Sequence, residues 1–252
     1  MYNPLDLTGK LVLVTGASSG IGRATAVVLS RMGARLILAG RRADALEETL
    51  AITENRELHL CSTFDLTRLD EIPKWVAEVV GTAGAPLDGV VHSAGLSANI
   101  PLRAVSSSNI DRLMVPNVHA ALLLLRGSTA KSVAAPSGMS IVLISSVAAI
   151  APSLGLITYS ATKSAINAIA RSAAKELAGR NFRVNSIIPG YVRTPMLINS
   201  ADAITDFERI ENKQFLGIIE PEEIGVMAAY LLSNAARSIT GSQFVMDGGF
   251  TL

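Results

Sequence analysis

Short apolar runs recur along the chain, separated by segments of helical periodicity. The runs 11–15 (LVLVT), 35–39 (RLILA), 58–64 (LHLCSTF), 89–93 (GVVHS), 140–145 (SIVLIS), 183–188 (RVNSII) and 242–246 (SQFVM) are nearly continuous in apolar character. Strands buried on both faces read this way. Between them, segments near 20–32, 43–54, 67–81, 105–132, 157–179 and 220–233 repeat apolar side chains at helical spacing. Seven strands alternating with six helices predict a parallel α/β sheet covered on both faces. Right-handed crossovers make such a sheet doubly wound, of Rossmann type. No Pro/Gly/Ser linker interrupts the pattern, so residues 1–252 are read as a single domain.

Composition narrows the picture. Of 252 residues, 49% are apolar and 17% charged, enough for a large core and unlike a disordered chain. A net charge of +1, with the basic residues dispersed, points away from nucleic acid and from anionic membrane surfaces. The opening MYNPLDLTGK lacks the basic-then-apolar pattern of a secretion signal. The apolar stretch 140–159 is broken by serines and Pro152, which argues against a membrane span. A cytoplasmic protein is expected. The lone cysteine, Cys61, cannot form an internal disulfide and fits a reducing compartment. Its place in a predicted strand suggests a buried structural thiol rather than a nucleophile.

The strand 11–15 runs into TGASSGIG (15–22) and then into a predicted helix. Gly16 permits a sharp exit from the strand, Gly20 lets backbone approach a pyrophosphate, and Gly22 lets the helix pack closely on the sheet. The helix N-terminus offers unpaired N–H groups and a positive dipole end to phosphates, and Ser18 and Ser19 add hydroxyl donors. A glycine-rich turn alone is weak; strand before and helix after it strengthen the reading.

The end of the second strand selects the nucleotide. An NAD site usually carries an acidic residue there, to accept the ribose 2′-hydroxyl. Here the chain reads Gly40-Arg41-Arg42. Arg41 and Arg42 can hold a 2′-phosphate through charge-assisted bonds, and no carboxylate repels it. NADP (NADPH) is therefore expected over NAD. Asp65, after the third strand, can cap the next helix or accept from the adenine amino group, with capping the safer assignment.

Tyr159 and Lys163 lie four residues apart on one predicted helix, hence on one face. A free phenol, with a pKa near ~10, is a poor base at neutral pH. A nearby ammonium is expected to lower that pKa, so that the phenol can exchange a proton with a developing alkoxide. Ser146, at the end of a strand, can fix the substrate oxygen beside it. Tyr-x-x-x-Lys alone arises in any helix; ordered behind a dinucleotide turn it carries weight.

Together, TGASSGIG (15–22), FDLT (64–67), HSAG (92–95), DRLMVPN (111–117), ISS (144–146), YSATK (159–163), IIPGYVRTP (187–195) and ITGSQFVMDGG (239–249) resemble the single-domain short-chain dehydrogenase/reductase family over almost the whole chain. The resemblance implies a Ser146–Tyr159–Lys163 triad with Asn117 as fourth member. In that family the asparagine helps hold a water that connects to the lysine. It implies that Pro189, Gly190, Val192 and Thr194 line the nicotinamide side. It implies cofactor contacts from the first motif, Ile21 included, from Asp65 and Leu66, from Ser93, Ala94 and Gly95, and from Tyr159 and Lys163. No metal is implied. Typical members are tetramers or dimers, here through 105–132 and 157–179.

Three departures stand out. The usual Asn-Asn-Ala-Gly is His92-Ser93-Ala94-Gly95, with His92 read as a structural donor rather than a base. Pro116 precedes Asn117 inside a predicted helix, where proline removes an N–H and crowds the carbonyl of Arg112, enlarging a kink or displacing Asn117. Ser18 stands where some NADP users carry a basic residue. The expected activity is hydride transfer between nicotinamide and a carbonyl or secondary alcohol, in the direction of reduction. Substrate specificity is assigned to a mobile flap, 194–216, with Met196, Leu197, Phe207 and Phe215 as an apolar wall. The pattern is close to ketoacyl-thioester reductases and equally to sugar, steroid and small-ketone dehydrogenases. A dinucleotide-binding sensor without turnover is the rival on the same scaffold.

Overall fold

The computed structural model describes residues 3–198 and 213–252. Strands β1 (Leu11–Thr15), β2 (Arg35–Gly40), β3 (Leu60–Thr63), β4 (Gly89–His92), β5 (Ser140–Ile144), β6 (Arg183–Pro189) and β7 (Gln243–Met246) form one sheet. Their order is β3-β2-β1-β4-β5-β6-β7, and every pair is parallel. The chain winds outward from β1 to β3, then returns to lay β4 on the other side of β1. That reversal opens a crevice above the C-terminal ends of β1 and β4, where open α/β sheets bind ligands.

Alternation along each strand explains the unbroken apolar runs. In β1, Leu11 and Leu13 enter one core cluster while Val12 and Val14 enter another on the opposite face. The helices are α1 (Gly20–Arg31), α2 (Ala43–Ala51), α3 (Ile72–Ala83), α4 (Ser107–Met114), α5 (Ala120–Ser128), α6 (Ile157–Leu177), the single turn α7 (Pro195–Ile198) and α8 (Pro221–Leu232). The first core takes Trp75 and Val79 from α3, Leu124 from α5 and Ile166 and Ala170 from α6. The second takes Val28 and Leu29 from α1 and Ile224 and Leu231 from α8. At Gly225 of α8, an added Cβ would stand 3.1 Å from the Thr25 backbone, so the small residue sets how closely α8 approaches α1. Helix α8 starts on a capping box between Glu220 and Glu223, with proline in its first turn. No helix among the described residues is long and apolar enough to cross a membrane.

Two predicted elements change. The segment 105–132 is not one helix: α4 yields at Val115–His119 to a π-turn before α5 begins. Pro116 sits in that turn, whose extra residue accommodates the ring and the missing donor. The segment 67–81 becomes a short 3₁₀ turn, Leu69–Glu71, followed by α3, so Asp65 does not cap that helix. Its Oδ1 instead accepts from the N–H and hydroxyl of Thr67, closing a local turn.

Candidate active site

A cleft of about 230 Å³ opens above the strand ends at the switch point. The β1–α1 turn forms its floor, with Gly16, Ser18, Ser19, Gly20 and Ile21 lining it. Gly16 has φ +70°, and an added Cβ would lie 2.8 Å from the backbone nitrogen of Ala94. Only glycine allows both the backbone angle and that approach. Gly22 is outside the lining, and a Cβ there would strike the carbonyl of Gly16, so it seats α1 against the turn. Ser19 is the N-cap of α1 and makes no side-chain capping bond. The first N–H groups of the helix therefore lie at the cleft without a capping acceptor. Arg23 braces the turn from behind, donating to the carbonyls of Ser18 at 2.9 Å and Ala45 at 3.2 Å and pairing with Glu48 at 2.9 Å.

Arg41 lines the cleft beyond β2, whereas Arg42 is the N-cap residue of α2 and lies outside the lining. Asp65 and Leu66 line it beyond β3, and Ser93, Ala94 and Gly95 beyond β4. Of the segment after β6, Thr194 contributes, with Pro195 and Met196 following; Pro189, Gly190 and Val192 do not. Two aromatic residues escaped the sequence reading. Phe64 and Trp75 also line the cleft, their rings stacked 4.4 Å apart and 9° from parallel. Trp75, the sole tryptophan, donates to Ser62 Oγ at 2.9 Å. A dinucleotide fits this chemistry: backbone donors and a helix N-terminus for the pyrophosphate, and a cation at the far edge.

Ser146, Tyr159, Lys163 and Asn117 gather beside the Ser93–Leu96 wall, behind the cleft's lining rather than in it. Ser146 Oγ accepts from the N–H of Ala148 at 3.2 Å and stands near enough to the Tyr159 phenol to favour its ionised form. Lys163, buried with 7% of its surface exposed, donates from Nζ to the carbonyl of Ile144 at 2.9 Å. Nζ also lies 3.6 Å from where a Cβ on Gly95 would stand, which joins this group to the cleft. Ser145, on the other face of the strand from Ser146, donates to the Lys163 carbonyl at 3.0 Å and holds α6 down. Asn117 is buried and fully engaged. Its Oδ1 accepts from Leu96 N at 2.8 Å, and its Nδ2 donates to Leu96 O at 2.8 Å and Thr162 Oγ1 at 3.0 Å. The π-turn thus places Asn117 as a clamp on the loop after β4.

One electrostatic expectation is corrected. Burial pushes the Tyr159 pKa above its ordinary value, Ser146 opposes that in part, and the lysine does not lower it. The ammonium donates to Ile144 O and lies 5.8 Å from the ring centroid. Burial also lowers Lys163 itself to about 8. Without cofactor, the phenol is held as a protonated acid.

His92 is buried, bonded through Nδ1 to Thr15 Oγ1 at 2.8 Å, and kept neutral by burial, with its pKa lowered to about 3. It is no general base. Cys61 lies in β3, and burial raises its thiol to about 11, which leaves little nucleophilic thiolate. Among the described residues no group of acidic, histidine or cysteine side chains could hold a metal. Within the flap, Met196 and Phe215 are exposed; Phe207 lies outside the described residues. A clamp the sequence did not reveal closes its far side: buried Gln214 accepts from Tyr191 N at 2.9 Å and donates to Tyr191 O at 3.0 Å and Gly217 O at 2.6 Å.

Comparison with known proteins agrees with this picture. A sequence profile described as enoyl-(acyl carrier protein) reductase matches residues 16–251. The chain is 34% identical over 251 residues to 2,5-dichloro-2,5-cyclohexadiene-1,4-diol dehydrogenase of Sphingobium indicum, covering 98% of each. A solved short-chain type dehydrogenase/reductase from Mycobacterium ulcerans aligns with TM-score 0.87 and 34% identity, over 97% of this chain and 90% of that one. A candidate 2-deoxy-D-gluconate 3-dehydrogenase from Agrobacterium tumefaciens, with bound NADP, aligns with TM-score 0.90 and 26% identity over 99% of both.

Proposed function

The chain belongs to the short-chain dehydrogenase/reductase family, as an oxidoreductase acting on CH–OH or C=O groups, and we propose that it reduces a carbonyl substrate with NADPH. One observation carries the reading: the Tyr159 phenol, held protonated by burial, stands beside Ser146, and the Lys163 ammonium, seated on Ile144 O, lies against Gly95 of the glycine-lined cleft. NADPH, when bound, supplies the hydride. Ser146 holds the substrate oxygen, and Tyr159 gives it a proton as negative charge develops there. Burial suits that role, because it keeps the proton on the phenol until an alkoxide-like oxygen takes it. Lys163 holds the end of β5 through Ile144 O and presents its charge to the cleft beside Gly95, where the cofactor's ribose would lie. Asn117 keeps the Leu96 segment in place beneath the substrate.

Arg41 holds the 2′-phosphate of the cofactor, with Arg42 at the helix start adding to the positive field. The NADP in the Agrobacterium neighbour accords with this choice. We further propose that the whole chain acts as one domain. It works in the cytoplasm as a dimer or tetramer paired through α4, α5 and α6, where Ile110, Leu122 and Ile157 are exposed. Titration of the purified protein with NADPH and NADH, followed by a panel of ketones, tests the reading. Tight NADPH binding with turnover on at least one ketone class supports it. Binding without turnover across a broad panel would turn it to a nucleotide sensor, and preference for NADH would remove the role of Arg41.

A further inference from the structure

His92 stands where the family's usual first asparagine would be, and its second ring nitrogen is unexplained. Nε2 is buried and has no hydrogen-bond partner among the described residues. Its surroundings are defined by the sheet. Val91 enters the core shared with α1 and α8, while Val90 enters the one shared with α3, α5 and α6. By alternation, His92 points with Val90, toward α6. Its lateral neighbours are Thr15 on β1 and Leu143 on β5, both uncharged. Asn117, from the π-turn, packs beside Gly95 and is also uncharged. The charge that reaches it is Lys163 on α6, with the Tyr159 phenol one turn earlier. The Nζ of that lysine comes down to the same end of the sheet, at Ile144 O and beside Gly95, three residues after His92.

We propose that His92 is a positioning residue for Lys163: its ring is fixed to Thr15 through Nδ1–H and presents the bare lone pair of Nε2 to the buried ammonium. The proposal rests on the role given to Lys163 above. The tautomer follows from charge. An Nε2–H would aim the positive end of the imidazole dipole at a cation with no acceptor to receive it; the other tautomer aims the negative end. The ring stays neutral, so the interaction persists across the working pH range. It offsets part of the burial that depresses the lysine.

Asparagine at this position reaches only as far as Nδ1 and keeps the Thr15 bond, whereas glutamine reaches the place of Nε2. Two measurements on the cofactor-free protein test this. Histidine ¹⁵N NMR of the wild type should show His92 as the Nδ1–H tautomer from pH 5 to 9. Lysine ε-¹³C NMR should show the Lys163 titration falling by about 0.5–1 unit in His92→Asn, a shift of about threefold to tenfold in the equilibrium, and returning in His92→Gln. An Nε2–H tautomer, or an unmoved Lys163 titration in His92→Asn, overturns the proposal. If His92→Asn does not fold, the wild-type tautomer decides. Neither readout needs a substrate, so absence of turnover on every ketone would defeat the proposed function and leave this inference standing.

Discussion

Single side chains divide the work between the cleft and the group behind its lining. Arg41 lines the wall and Arg42 does not, so the two should separate on mutation although they are adjacent. Arg41→Ala is expected to weaken NADPH by about tenfold to a hundredfold, the worth of one lost charge-assisted contact, and to leave NADH within about twofold. Arg42→Ala should cost only a few-fold. Fluorescence titration of both nucleotides against both variants checks this, and equal losses for NADPH and NADH in Arg41→Ala would contradict it. Behind the lining, Tyr159→Phe should abolish turnover with cofactor affinity retained; substantial residual rate would take Tyr159 out of the acid role. Lys163 carries a stability signature as well. Its folded pKa of about 8 is below its unfolded value of 10.5, so between those limits the unfolded chain binds more protons. Stability of wild type relative to Lys163→Met should therefore rise with pH from about 8 to 10.5, the burial penalty being fully present below 8. Urea unfolding at pH 7 and pH 10 measures it; a difference independent of pH would show that the ammonium is not the buried species.

Elements translate those side chains into a site, and here the sequence was informative to different degrees. Strands buried on both faces leave unbroken apolar runs, so the five inner strands were sharply legible, and β3 and β7 less so because they are half-buried edges. The β1–α1 turn was legible because its glycines answer to backbone geometry that few other residues tolerate. The break in 105–132 was only half legible: Pro116 announced a disturbance, but not that a π-turn would absorb it. The Phe64–Trp75 stack was hidden because it joins a strand exit to a helix eleven residues later, a contact that no local period encodes. Gln214 was hidden for the same reason, since its partners lie across the fold at Tyr191. The π-turn makes its own claim. Asn117→Ala would strand both Leu96 N–H and Leu96 O, at a cost of about 2–3 kcal/mol. For a chain of this size, that lowers the melting temperature by about 5–10 °C. A melt within a degree of wild type would mean that the clamp on Leu96 contributes no stability.

Across the whole molecule, two apolar cores lie on opposite faces of one sheet, and the cleft runs along the edge where both end. Its walls come from the loops after β1, β2, β3, β4 and β6, which are far apart in sequence and joined mainly through the strands beneath them. A nucleotide bound there would touch all of these loops at once and would have no counterpart site in the unfolded chain. Binding should therefore appear as global stabilisation, even though every contact is at the cleft. At a nucleotide concentration a hundred times its dissociation constant, the gain is about 2.7 kcal/mol. This corresponds to a rise in melting temperature of about 5–10 °C for a chain this long. With NADPH and NADH at equal concentration, the rise should be larger for NADPH, and Arg41→Ala should erase the difference without removing the NADH response. Equal shifts in wild type would place the 2′-phosphate outside the reach of Arg41. No shift with either nucleotide would mean that the glycine-lined turn binds neither.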